Sequence, residues 1–306
     1  MTSPPNTTTV TAAGVPQIFD RATLLSRRAR ASAQFAQHAF LLDRVADDLA
    51  ERLMMVKRQF DNGLSIEAYD GRVSRVLRGC PNVSSIADAE PSTAMRAMCG
   101  DEASPSGLGE PLAPLVPYDL VVSALSLHMV DDLPGALVLL RQAMAPDGLL
   151  LAAVLGGETL HELRQSWLVA EEEVTGGASP RVAPFADVRA LGGLLQRAGF
   201  ALPVADSERV TVTYATPLHL MRELKGMGAS NMLADRRRVP VTRTLLMRAA
   251  EVYVERYGLA DGRIPATFEI VTLTAWVPHE SQPKPLQPGS ATARLADVLG
   301  VKENKA

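Results

Sequence analysis

Cysteine is nearly absent: Cys80 and Cys99 are the only two in 306 residues. That excludes a disulfide scaffold and a thiolate zinc site, and makes a reducing compartment the default. No apolar run approaches the length of a membrane span, which leaves only peripheral contact with a membrane surface open. The opening "MTSPPNTTTVTAAGVPQ" lacks the charged and apolar regions of a secretory signal. The net charge of −3 holds no basic surplus, so nothing general points to nucleic acid. There is no His-Glu-x-x-His, no Cys-x-x-Cys and no His-x-Asp/Glu pair, so local spacing supports no metal site. There is no Gly-x-Ser-x-Gly elbow to support a hydrolase, and no internal repeat.

What is present is an ordinary globular composition, 47% hydrophobic and 21% charged, enough to bury a sizeable core. The length suits one large domain or a domain with a cap. Ser, Thr and Pro mark residues 1–16 as a disordered leader. Residues 17–60 read as N-terminal helices, with Phe35, Leu42, Val45, Leu49 and Leu53 at helical spacing. The Arg-rich "RATLLSRRARASAQFAQ" has the acid-poor look of a mitochondrial presequence, but it leads directly into that periodic helix and reads as mature structure. An α/β unit follows over 61–277, and a polar, Pro-rich stretch over 278–306 reads as an extended arm.

Within the α/β unit, "GLSIEA", "VSSIAD", "YDLVVSALSLH" and "DGLLLAAVL" read as strands. "DGRVSRVLRG", "PSTAMRAM" and "DDLPGALVLLRQAM" read as the helices between them, and 100–117 as a Gly/Pro loop. Such alternation predicts a doubly wound, mostly parallel sheet whose ligands bind beyond the strands' carboxyl ends. Later come helical stretches over 157–198 and 216–258, which cap the sheet, and the strands "ERVTVTYA" and "TFEIVTLTAW". The "GMGASN" between helices reads as a helix-breaking loop or a glycine anion nest.

Several polar groups fall at strand ends. Asp88, ending the second strand, reads equally as an acid for ribose hydroxyls or as the N-cap of the next helix. Ser123, Ser126 and His128 lie in "VVSALSLHMVDDLP", at a strand carboxyl end, facing a ligand or simply closing a strand edge. Asp131 and Asp132 most simply cap the helix after them.

From "YDLVVSALSLHMVDDLP" through "GGASPRVAPFADVRALGGLLQRAGF", "LKGMGASNM", "YGLADGRIPATFEI" and "HESQPKPLQPGSAT", the chain resembles the class I S-adenosylmethionine-dependent methyltransferases. It is most similar to their complex I assembly factor 5 branch, found in mitochondria and alphaproteobacteria, and is also similar to malonyl-carrier-protein O-methyltransferases. The likeness runs from "IFDRATLLSRRARA" to about Leu295. It implies a Rossmann-like, seven-stranded α/β sheet with N-terminal helices and a helical cap. It implies S-adenosylmethionine as cofactor, with Glu67 and Gly71 in the cofactor loop, Asp88 at the ribose, and Ser123, Leu125 and His128 in the post-strand segment near the cofactor. No catalytic residue is assigned.

In that branch the loop reads Asp-Leu-Gly-Cys-Gly-x-Gly; here the frame is Ser65, Ile66, Glu67, Ala68, Tyr69, Asp70, Gly71. Glu67 and Tyr69 are expected to crowd the space that glycines leave open. The loop "GDEASPSGLGEP" replaces the segment expected beside the adenine. The resemblance implies maturation of respiratory NADH dehydrogenase through modification of a subunit arginine, in a bacterial cytoplasm at the inner face of the membrane. Two alternatives stand beside it: a non-catalytic methyltransferase-fold assembly chaperone, and a small-molecule carboxyl O-methyltransferase. For the last, "ADRRRVPVTR" is either a docking patch for an acyl carrier or a solvated helix start.

Overall fold

The structure is a computed structural model and describes residues 14–112 and 114–283. Most of the expected leader, residues 1–13, and most of the expected arm, residues 284–306, lie outside the described residues. The first helix, α1 (Arg21–Ala31), is opened by Asp20, whose carboxylate accepts the Thr23 N–H at 2.9 Å. Its buried stripe is Leu24, Arg28 and Ala31. These lie on one helical face, so an arginine occupies a position where the spacing calls for an apolar residue. A 3-10 turn over Ser32–His38 carries Phe35 inward. Helix α2 (Phe40–Met54) then buries Leu42, Val45, Leu49 and Leu53 along the predicted face.

The sheet comprises β1 (Gly63–Ile66), β2 (Ile86–Ala89), β3 (Tyr118–Ala124), β4 (Met144–Leu155), β5 (Ala201–Tyr214) and β6 (Ile264–Trp276), in the order β2-β1-β3-β4-β6-β5. The first four are parallel, and β6 runs against both of its neighbours. Between them lie α3 (Arg72–Leu77), α4 (Thr93–Cys99), α5 (Leu133–Gln142), α6 (His161–Thr175), α7 (Val188–Arg197), α8 (Pro217–Gly226) and α9 (Arg243–Tyr257). The apolar Leu120, Val121 and Val122 of β3 are explained by its central place, covered on both faces. Leu120 and Val122 join one core with α2, α6 and α9, whereas Val121 joins the other with Leu137, Leu140, Leu191 and Leu195.

Three expectations are corrected. Six strands, not seven, are present among the described residues. At the edge beside β2, a single parallel bridge joins Ala89 to Ser104. Pro105 has no N–H with which to extend it. Asp88 does not cap the following helix, which begins at Thr93 with Ser92 as N-cap. Of the aspartate pair, Asp132 caps α5 through the Gly135 N–H at 2.8 Å. Asp131 instead accepts the N–H groups of Ile18 and Phe19, each at 2.8 Å, and ties the start of the described chain to the turn after β3.

Candidate functional site

In a doubly wound sheet the ligand crevice lies where strand order reverses, here between the carboxyl ends of β1 and β3. The loop after β1 has left-handed backbone at Glu67 (φ 53°), Tyr69 (φ 54°) and Gly71 (φ 73°). These are the three frame positions at which the related loop carries glycine. Its backbone path is therefore kept while two of its glycines are gone. Holding glutamate and tyrosine there costs about 1–2 kcal/mol each, which their side-chain contacts must offset.

Those contacts converge on Arg28. Its Nη1 donates to Glu67 Oε2 at 2.7 Å, and its Nη2 to the Tyr69 hydroxyl at 3.1 Å and to Ser126 Oγ at 3.4 Å. The guanidinium lies 4.3 Å from the centroid of the Tyr69 ring, and Glu90 stands 3.9 Å away. Glu67 Oε1 accepts from Arg21 and from the Leu108 N–H at 3.2 Å. The Arg28 side chain is 1% exposed and that of Glu67 0%. Tyr69 donates its hydroxyl to the Leu125 carbonyl at 2.8 Å and stacks on Phe35 with centroids 5.4 Å apart. Glu90 accepts the Tyr69 N–H at 2.9 Å and the Ser92 N–H at 2.8 Å. An arginine from α1 thus bridges the end of β1 to the turn after β3.

Burial alone would push the Glu67 carboxyl up, but the guanidinium groups of Arg28 and Arg21 outweigh it and hold it below its ordinary value. Burial raises Glu90, and Arg28 only partly opposes that.

The other residues expected at the site are distributed differently. Asp88 is buried, with Oδ2 accepting Ser74 Oγ–H at 2.8 Å and Arg78 at 3.3 Å; Oδ1 has no partner among the described residues. Burial raises its carboxyl above the usual range. Gly71 lies against it, since a Cβ there would stand 3.3 Å from Asp88 Oδ2. Ser123 is enclosed within β3, and its hydroxyl has no partner among the described residues. Leu125 has φ 53° and offers its carbonyl to Tyr69. His128 sits in a 3-10 turn (Leu127–Met129), with Nδ1 accepting the Leu155 N–H at 3.3 Å and its ring edge-on to Phe185. Burial, and then the charge of Arg28, pull its pKa down to about 3.

Arg28 and Glu90 were not singled out from sequence. The legible signal for Arg28 was a charge set between Leu24 and Ala31 on an apolar face.

The loop after β1 and the Arg28 that fills it do not fit S-adenosylmethionine. The backbone at 67 and 69, which glycines would leave open to the cofactor, is covered by a carboxylate and a ring. Both Glu67 oxygens and both Glu90 oxygens already accept hydrogen bonds, and the Arg28 cation occupies the space between β1 and β3.

A methyltransferase-domain family profile matches residues 35–203. The Danio rerio protein named arginine-hydroxylase NDUFAF5, mitochondrial, is 46% identical over 181 residues, covering 59% of this chain and 56% of that protein. Its Homo sapiens counterpart is 44% identical over 181 residues, covering 59% and 52%. The chain thus spans about half the length of these relatives. A malonyl-[acyl-carrier protein] O-methyltransferase from Halorhodospira halophila is 34% identical over 278 residues, covering 86% of this chain and 90% of that one. A methyltransferase-fold crystal structure from Bacillus halodurans superposes with a TM-score of 0.51 at 13% identity, covering 76% and 98%, a likeness of fold alone. With more than half its length matched by the family profile, the chain belongs to the S-adenosylmethionine-dependent methyltransferase family.

Proposed function

We propose that this chain is a methyltransferase-fold assembly factor that acts in the maturation of respiratory NADH dehydrogenase without using S-adenosylmethionine. The observation that carries the reading is the filled crevice, with Arg28 held by Glu67 and Tyr69 between β1 and β3. The direction toward NADH dehydrogenase comes from the resemblance to the complex I assembly factor 5 branch and from the relatives named arginine-hydroxylase NDUFAF5. In this reading the helices of 17–60 close the α/β unit of 61–277, and the cap presents a surface to a subunit at the inner face of the membrane. No helix among the described residues is long and apolar enough to cross a membrane.

A carboxyl O-methyltransferase is the competing reading, because the match to the Halorhodospira halophila enzyme extends over most of both chains. It requires a cofactor in the crevice. Calorimetric titration with S-adenosylmethionine and S-adenosylhomocysteine separates the two, and neither should give binding heat. Gene disruption in the source organism should lower NADH dehydrogenase activity in its membranes. Micromolar cofactor affinity would overturn the non-catalytic half of the proposal, and undiminished NADH dehydrogenase the assembly half.

A further inference from the structure

Against the filled crevice, and sharing Arg28 and Tyr69 with it, lies an open cavity of about 280 Å³ lined by the N-terminal helices, the turn after β3, and the cap. Its walls are predominantly apolar, among them Leu42, Leu163, Trp167, Leu224 and Phe268. The charged groups that line it are already met. Arg28 is paired with Glu67, and His38 Nδ1 lies 3.0 Å from Glu223. Arg181 donates to Glu171 at 2.9 Å with its guanidinium over the Trp167 ring. A charged ligand would therefore lose its hydration without gaining a counter-ion, which is costly in an apolar site.

His128 lines the same cavity. Its Nδ1 accepts the Leu155 N–H, so that nitrogen carries no proton. The ring is neutral at ordinary pH, because desolvation and then the charge of Arg28 hold its pKa down to about 3. The proton therefore sits on Nε2, which has no partner among the described residues. Phe185 holds the ring edge-on and fixes its orientation. The cavity thus offers an apolar volume with the neutral His128 ring, protonated at Nε2, at its wall, the usual make-up of a small-molecule site.

We propose that this cavity binds an uncharged, mainly apolar small molecule that presents one carbonyl-type acceptor to His128 Nε2–H. Binding here requires no S-adenosylmethionine, so the proposal goes beyond the assembly reading and stands apart from it. The probe is prodan, a neutral naphthalene carrying one ketone whose fluorescence reports hydrogen bonding to it; naphthalene, which has no acceptor, is the control.

Prodan should bind the full chain saturably at one site. His128→Phe keeps the ring but removes the donor, and should weaken prodan by about tenfold while leaving naphthalene within about twofold. His128→Gln, which retains an N–H, should recover most of the prodan affinity. Leu163→Trp fills the cavity and should abolish binding of both probes, with circular dichroism confirming the fold. Failure of prodan to saturate the native chain would overturn the proposal, as would equal losses of both probes in His128→Phe. Displacement of prodan by S-adenosylhomocysteine would instead overturn the closed-crevice reading while leaving the cavity a binding site.

Discussion

Replacing Glu67 by Gln should be among the most damaging single changes in the chain, and much of the damage should be recovered when Arg28 is replaced too. Glu67 and Arg28 are both buried, at 0% and 1% side-chain exposure. In Glu67→Gln the Arg28 cation would keep as carboxylate partner only Glu90, at 3.9 Å and already engaged by two N–H groups. Leaving one partner of a buried pair uncompensated costs about 3–5 kcal/mol, or about 6–10 °C in Tm for a chain of this size. Arg28→Met should cost less, because Glu67 keeps Arg21 and the Leu108 N–H. The double variant Arg28→Met/Glu67→Gln removes both charges from the core, and should be more stable than Glu67→Gln by at least about 2 kcal/mol. Urea unfolding of all four proteins supplies the cycle. Single-variant losses that add within about 0.5 kcal/mol would refute the pairing as an energetic unit. A pH arm checks the sign. The folded carboxyl lies below its reference of 4.5, so its contribution is full above about pH 4.5 and is lost as pH falls through the folded value. Glu67→Gln should lack that acid limb.

Three further outcomes follow from the same geometry. Restoring glycine at Glu67 and Tyr69 alone should not create S-adenosylhomocysteine binding by calorimetry, because Arg28 remains in the crevice; the triple variant with Arg28→Ala should bind, and binding to the double variant would refute the assignment of Arg28 as the occupant. His128, with a folded pKa of about 3 against 6.5 when free, stays neutral in the fold, so it withdraws stability as pH drops from about 6.5 toward 3; His128→Gln should flatten that part of the thermal-stability profile, and an unchanged profile would refute it. Asp88 has its folded pKa raised by burial, so ionising it costs stability as pH rises through that value; Asp88→Asn keeps an acceptor for Ser74 and should hold Tm at pH 7 within about 2 °C or raise it, whereas a fall beyond about 5 °C would mean the Arg78 pairing dominates.

The sheet was legible because its strands are short apolar runs punctuated by glycine and proline, and β3 was legible as a buried strand from Leu120, Val121 and Val122. A seventh strand was expected from the family frame, with no seventh apolar run to carry it, and six are present among the described residues. Glu67 and Tyr69 were legible as intrusions into a glycine loop. Their compensation was not, because the partner lies 39 residues upstream on a different element. Periodicity places residues on faces; it does not say which distant face will meet them. Asp88 shows the same limit: position put it at the end of β2, but the side chain answers to Ser74 on α3 and to Arg78 just after it.

Arg28 belongs to the same molecule as the crevice it fills. Carried on α1 and fastened through Leu24 and Phe35, it competes for that space as an intramolecular ligand, at an effective concentration of about a millimolar or more. A free competitor at about 10 µM would have to bind the open crevice about a hundredfold more tightly than Arg28 does merely to share it. Entry would also wait for α1 to lift, so the observed affinity would be the intrinsic one scaled by the small open fraction. Occupancy is then governed less by the abundance of any metabolite than by how firmly one helix is seated.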